Sequence, residues 1–566
     1  MHLSRRKQLI SLAFILPAFA AAQTIRPGAG QLLRDITPPP SLPSTSLAPS
    51  VTTTPDAPAA TSAPADTTPI SVKTIVITGN TVLATAELHV LAAKVEGTTV
   101  TLTELRAQAE RITQAYVARG YLLARAYLPA QEIKADGVVT IAIQEGRLGE
   151  AKLDNSSLVA APVVRRFLAP LATGAVVDGA QIEDVLMRLR EVPGLQTASL
   201  LHPGAAAGTA DLVVTATPGK RVSGSVTLDN SGGDTSGAIR LGALAEVASP
   251  LGQGDRLTLQ GLTTMPAHES MRYGRAAYDY ALGGKGLRVG ASYSHLAYEL
   301  GQNFANLDAH GTADVAQLWV SRPLLRSREA IVDTRLGYDY RNLDDRVDSS
   351  DTRTARHLHS IIAGVTGGLR DGLLGGGYTS GGLTGTFTQV DIYDEAAREA
   401  DAGGLGTQGG AAFLKLQVQR LQNLPAGFTL ELNASGQLAS GNLDTGDQFG
   451  AAGPDGVRAF PQGEQFGDQG LLFTTELRHA LPLPRATGNW QGVVFYDQST
   501  IWTAREPVVS GSDNRRTLGG VGAGLRWSYR QNWTARVDAA WRTQGGAPVV
   551  AGSHHPQIWA SLSYAF

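Results

Sequence analysis

The sequence predicts a transmembrane β-barrel of about 16 antiparallel strands preceded by two small α+β domains. Three observations carry this. From 221 to 566 helical periodicity gives way to strict two-residue alternation of apolar and polar side chains. All seven Trp and 12 of the 15 Tyr fall in that segment, the bias that aromatic girdles require. The chain also ends inside an alternating run, on Phe566. Closing such a segment into a barrel leaves no unpaired strand edge.

Composition narrows the classes first. The chain has 566 residues, 17% charged, with 65 Gly, no Cys and a formal net charge of −2. Nothing in that balance points to nucleic acid, and the absence of Cys removes disulfides, thiolate metal sites and cysteine nucleophiles. Arg5, Arg6 and Lys7, an apolar run over 9–19 and Ala20-Ala21-Ala22 form the three parts of a secretory signal peptide over residues 1–22. The apolar run is far shorter than the roughly 20 residues of a spanning helix.

Residues 23–70 hold 10 Pro and 14 Ser or Thr, a composition that reads as an extended linker. Within it, 30–36 has room for about two helical turns, too short to stand alone in water. Residues 71–149 then read as one α+β domain. A strand over 72–77 ends at Gly79-Asn80, and Thr85 caps a short helix reaching Lys94. A second helix over 104–119 carries Leu105, Ala109, Ile112 and Tyr116 on one stripe and closes at Gly120. Strands over 122–128 and 138–143 follow. Residues 150–220 repeat this order with a strand at 151–153, helices at 163–168 and 181–190, and strands at 195–201 and 210–216.

In the segment 221–566, Leu525, Trp527 and Tyr529 oppose Gly524, Arg526 and Ser528. Trp533, Ala535, Val537, Ala539 and Trp541 oppose Thr534, Arg536, Asp538 and Arg542, and Ile558, Ala560, Leu562, Tyr564 and Phe566 close the series. In a soluble sandwich the apolar face is inside. In a membrane barrel it meets lipid and the polar face lines a lumen. The expectation is that the Trp-bearing face looks outward throughout.

Enzyme signatures are missing: there is no G-x-S-x-G, H-E-x-x-H or G-x-x-x-x-G-K-[ST]. The pairs His357/His359 and His554-His555 read as surface loops, as do the acidic runs at 344–348 and 393–395. No catalytic residue, metal or cofactor is expected. One loop is unlike the others: Val457-Arg458-Ala459-Phe460 in a Gly/Pro-rich stretch suggests a loop folded into the lumen, where a buried guanidinium requires a carboxylate partner.

With these pieces in place, the chain from about Pro27 to Phe566 resembles the outer-membrane transporters of two-partner secretion, the TpsB (ShlB/FhaC/HecB) family. Ala115-Tyr116-Val117-Ala118-Arg119-Gly120-Tyr121 with Gln144-Glu145-Gly146 resembles that family's first POTRA (polypeptide-transport-associated) domain. Val192-Pro193-Gly194-Leu195 with Gly208-Thr209-Ala210-Asp211-Leu212 resembles the second, and Leu228-Asp229-Asn230-Ser231-Gly232 the first barrel strand. Val457-Arg458-Ala459-Phe460 resembles the family's lumen-loop motif, with Ala459 where the motif has Gly. Phe495-Tyr496-Asp497-Gln498-Ser499 resembles the barrel-wall motif, with Ser499 for Gly.

The resemblance implies domains at 71–149, 150–220 and 221–566, an Arg458–Asp497 ion pair beside Phe495, and a short helix near 32–36 that plugs the pore. It implies a large secreted TpsA-like exoprotein as partner, contact with outer-membrane lipid, periplasmic POTRA domains, and insertion by the barrel-assembly machinery through the terminal signal Tyr564 and Phe566. The competing reading is an outer-membrane barrel assembly factor; a passive porin or adhesin would leave 71–220 without a purpose.

Overall fold

The computed structural model describes residues 27–37, 42–43, 51–53, 68–265, 270–508, 514–550 and 554–566. The signal-peptide expectation for 1–22 lies outside the described residues.

The first domain begins with strands Ile70–Val72 and Thr74–Thr78. Helix Leu102–Ala118 starts two residues before the sequence expectation because Thr101 and Glu104 form a reciprocal capping box. Leu105, Ala109, Ile112 and Tyr116 are buried against Ile75, Val139 and Ile141, and Gly120 takes φ +95 where the chain turns back. The expected cap at Thr85 is corrected: helix Thr85–Ala92 follows Ala84, and the Thr85 hydroxyl accepts from Asn80 instead. The expected strand over 122–128 shrinks to Arg125–Tyr127, since 121–124 are used in turning off the helix. Glu145 is buried at the base of this domain. Burial opposes its charge, but donors from Thr81 (side chain and backbone), Val82 and the Tyr116 hydroxyl hold its carboxyl below the usual range.

The second domain packs helices Ala161–Leu168 and Gly179–Arg190 on a sheet in the order Val51–Thr53, Leu195–Pro203, Thr209–Pro218, Arg147–Asn155. Strand Arg147–Asn155 runs across the 149/150 boundary drawn from sequence. Its pairing with Thr209–Pro218 places it in the second sheet. The outer strand Val51–Thr53 comes from the linker and pairs in parallel with Leu195–Pro203, Val51 opposite Ser199. This domain is seated on the periplasmic turns of the barrel. Arg326 Nε donates to Glu191 at 2.6 Å, Arg188 Nη1 to the Lys285 carbonyl at 2.7 Å, and Ser249 Oγ to the Pro193 carbonyl at 2.7 Å.

The remainder is a closed barrel of 16 antiparallel strands, from Val222–Asp229 to Gln557–Ala565, which pair with each other to close it. No helix among the described residues is long and apolar enough to cross a membrane; the strands cross instead. Alternation follows the pleat: Leu318, Leu336, Ile361, Leu383, Leu416, Val494 and Leu525 point outward, and Gln417, Glu476, Asp497 and Arg526 point inward. Two tryptophans break the expected pattern. Trp319 faces the lumen with the Arg335 guanidinium 4.6 Å from its ring, and Trp559 is buried inside beside the lumen loop. The other five point outward, as do Tyr564, whose ring lies 4.8 Å from Trp533, and the half-exposed Phe566.

The acidic run at 344–348 is also corrected. Residues to Val347 belong to strand Ala330–Val347, with Asp344 outward and Asp345 buried in the lumen. His357 and His359 lie on the outer face of strand Thr352–Asp371, not in a loop.

Candidate functional site in the barrel lumen

Residues 440–468 connect strands Phe428–Ala439 and Gln469–Ala480 at the extracellular end and fold back into the barrel. Gly453, at φ +101, and Gly456, whose absent Cβ would lie 2.5 Å from the Ala451 backbone, let the loop turn tightly there. At its tip Val457 and Phe460 are fully buried, packed with Phe495, Leu518 and Ala540 of the three wall strands that follow Gln469–Ala480. Ala459 has no positive φ, so alanine serves where the family motif has glycine. Its methyl instead needs Gly520 opposite, where a Cβ would approach to 2.6 Å.

Arg458 lies between these apolar neighbours. Its Nε and Nη2 donate to the two oxygens of Asp497 at 2.8 and 2.7 Å, and its backbone N–H adds a third bond at 3.1 Å. Nη1 donates to Glu476 at 2.5 Å and lies 3.7 Å from Asp538, while the guanidinium stacks 3.4 Å over the Phe495 ring. Trp559 Nε1 donates to the Arg458 carbonyl at 2.8 Å. The carboxylates are shared onward: Glu476 with Arg478 at 2.6 Å, Asp538 with Arg526 at 2.5 Å and Arg536 at 2.7 Å. Buried charge is tolerated only when each lone pair and proton has a partner, and here each carboxylate meets at least two donors.

The structure therefore brings Val457, Arg458, Ala459, Phe460, Phe495 and Asp497 together. Sequence reasoning missed Glu476, Asp538 and Trp559. The signal was present as polar residues on the lumen face of alternating strands, but nothing in spacing says which of them meets the loop.

The resemblance implied a short helix in the pore near 32–36; its contacts were not foreseen. Helix Ala29–Ile36 occupies the lumen near its outer end. Leu32, Leu33 and Ile36 pack against Leu296, Tyr298, Phe304, Leu343 and Leu358, an apolar socket separate from the one at Val457 and Phe460. The Ala29 N–H donates to Asp345 at 2.7 Å; Arg356 bridges Asp345 at 2.7 Å and the loop's Asp444 at 2.5 Å. Arg341 holds Asp447 of the same loop at 2.8 Å. Gly30 lies against Gly446, where a Cβ would come within 2.8 Å of the backbone nitrogen. Helix, loop and wall thus form one ionic and apolar assembly across the pore. No cluster of three metal-ligating side chains occurs among the described residues.

Comparison with known proteins fits this arrangement. Residues 208–527 match the family model "Haemolysin secretion/activation protein ShlB/FhaC/HecB". The chain belongs to the ShlB/FhaC/HecB family. Residues 70–146 match the ShlB-type POTRA domain. The heme/hemopexin transporter protein HuxB of Haemophilus influenzae is 26% identical over 501 residues, 88% of this chain and 87% of its own. The outer membrane transporter CdiB of Escherichia coli is 26% identical over 469 residues, 80% of this chain and 76% of its own. Among solved structures, CdiB from Escherichia coli matches with a TM-score of 0.70 at 22% identity, covering 91% of this chain and 93% of that one. CdiB from Acinetobacter baumannii matches at 0.63 and 18%, covering 88% and 90%. As a member of this family the chain is an outer-membrane transporter of two-partner secretion, with its POTRA domains in the periplasm and a TpsA-like exoprotein as its cargo. The family match favours secretion over the assembly-factor reading.

Proposed function

We propose that Arg458 is the anchor that keeps the lumen loop in its export-competent position, and that helix Ala29–Ile36 is a removable plug. The supporting observation is that the two obstructions are held at named and separable contacts, the loop at Asp497 and the helix at Asp345 and its apolar neighbours. In the resting protein they fill the outer half of the pore.

Recognition begins in the periplasm. An extended segment of the partner adds as a strand to the Leu195–Pro203 edge, the edge that the linker's Val51–Thr53 occupies. Competition for that edge frees the linker and with it the plug. The partner then passes through the polar lumen in extended form, drawn outward by its own folding at the surface. The family is one of transporters, and catalysis has no part in this reading. Leu318, Leu336, Leu383 and Leu416 contact lipid, and Tyr564 with Phe566 forms the terminal signal for the assembly machinery, paired through Phe566 N–H to the Gly224 carbonyl at 3.0 Å.

Depletion in cells is the test: loss of one exoprotein from the medium supports export, and a general loss of outer-membrane proteins supports assembly instead. For Arg458, an Arg458→Ala chain that inserts as a heat-modifiable barrel yet exports nothing supports the anchor, and normal export by it removes that role.

A further inference from the structure

The lumen holds three cations that no carboxylate among the described residues contacts directly. Arg275 and Arg335 face inward from strands Met271–Leu282 and Ala330–Val347, within electrostatic reach of each other. Lys415 faces inward from strand Gly409–Asn423. Among the described residues none of the three has a carboxylate oxygen within 4.0 Å. Arg275 has only a 3.3 Å hydrogen bond to Ser292, Arg335 rests on the Trp319 ring, and Lys415 lies 5.1 Å from the centre of the Phe413 ring.

The acids nearby are already engaged. Asp279 is shared by Arg256 and Arg288, Asp339 accepts from Gln317 at 2.9 Å, and Asp447, the acid on the side of Lys415, is held by Arg341 at 2.8 Å.

Of the linker, Leu42 lies in the lumen, 3.4 Å from where a Cβ on Gly382 would sit. Residues 36–50 contain no Asp, Glu, Lys or Arg. An acidic side chain entering the lumen would supply the contact that Arg275, Arg335 and Lys415 lack. Cations in a partly desolvated pore attract counter-charge more strongly than the same groups on an open surface.

We propose that Arg275, Arg335 and Lys415 form a capture track for the acidic side chains of the exported polypeptide, so that the transporter selects extended chains rich in Asp and Glu over basic ones. This rests on the export reading and adds a chemical preference to it.

The test uses the full-length protein in detergent with fluorescent poly-L-glutamate and poly-L-lysine of equal length, followed by anisotropy. Poly-glutamate is expected to bind roughly tenfold more tightly, the scale of charge focusing in a cleft of one sign. The chain as a whole is mildly acidic, so simple surface attraction predicts the opposite order. The triple variant Arg275→Gln, Arg335→Gln, Lys415→Gln should lose the preference. Arg275→Lys with Arg335→Lys should keep it, which separates charge from misfolding. In 1 M KCl, where the Debye length falls to about 3 Å, the wild-type preference should collapse. Equal binding of the two peptides, a preference for poly-lysine, or a poly-glutamate preference that survives in the triple variant overturns the proposal. Those outcomes leave export intact, because export is read separately from the partner protein in the medium.

Discussion

The two kinds of interior in this molecule are filled by opposite rules. The first periplasmic domain buries Leu88, Leu105, Ile112 and Ile141, and the second buries Phe167, Leu186, Leu189 and Leu212. The barrel interior buries Arg341, Arg356, Arg458, Asp345, Asp497 and Asp538. Both are built on alternating strands. What differs is the medium on the other face. In the periplasm the outer face meets water, so apolar groups turn in; in the bilayer it meets hydrocarbon, and polar groups turn in. The lumen is thus a second aqueous surface folded inside the protein, and what fills it is held by charge together with two apolar contacts, one under helix Ala29–Ile36 and one at Val457 and Phe460.

This contrast can be broken at its strongest point first. Arg458→Ala leaves Asp497 and Glu476 buried with fewer donors, a loss of about 3–5 kcal/mol for an uncompensated buried charge. Export of the partner, read in the culture medium, should fall below detection while barrel insertion, read by heat-modifiable mobility, persists. The charge-swapped pair Arg458→Asp with Asp497→Arg is not expected to restore export. It would set the new aspartate against Glu476 and Asp538, which the simple picture of one ion pair omits.

Next in size is the choice of face. Leu416→Arg on the lipid side should cost about 2–4 kcal/mol near the bilayer midplane, against little change for Gln417→Leu one residue on and facing the lumen. Urea unfolding in lipid vesicles compares them, and equal costs would contradict the assignment of faces. Leu33→Asp removes one apolar contact of the plug, worth about 1.5–3 kcal/mol, and should raise the frequency of open channels in planar bilayers. The smallest effect lies in the first domain. Glu145→Gln weakens a buried carboxylate that accepts from Thr81, Val82 and Tyr116, by about 1–3 kcal/mol, seen as faster hydrogen exchange confined to 70–146. Because the folded carboxyl is held low, its contribution is complete above the ordinary value of about 4.3 and disappears as pH falls through the folded value. The same exchange measurement should show protection lost in acid for the wild type and a flatter profile for Glu145→Gln.

By itself the sequence determined what depends on local period. Alternation to the last residue, aromatic enrichment and the helix stripe at Leu105, Ala109, Ile112 and Tyr116 reflect one strand or helix against one medium. Arg458 stood out because a charged residue between Val and Phe in a Gly-rich loop makes no sense in solvent, and its link to Asp497 came from family resemblance, not from spacing. Only the tertiary structure decided that Glu476, Asp538 and Trp559 complete the Arg458 site, that Arg356 ties plug to loop, and that Trp319 faces inward over Gly290. These contacts join residues from 18 to 101 positions apart, on strands, loop and helix that meet only in the closed barrel. Their pairing is fixed by which strands closure brings face to face, and no local pattern carries that information.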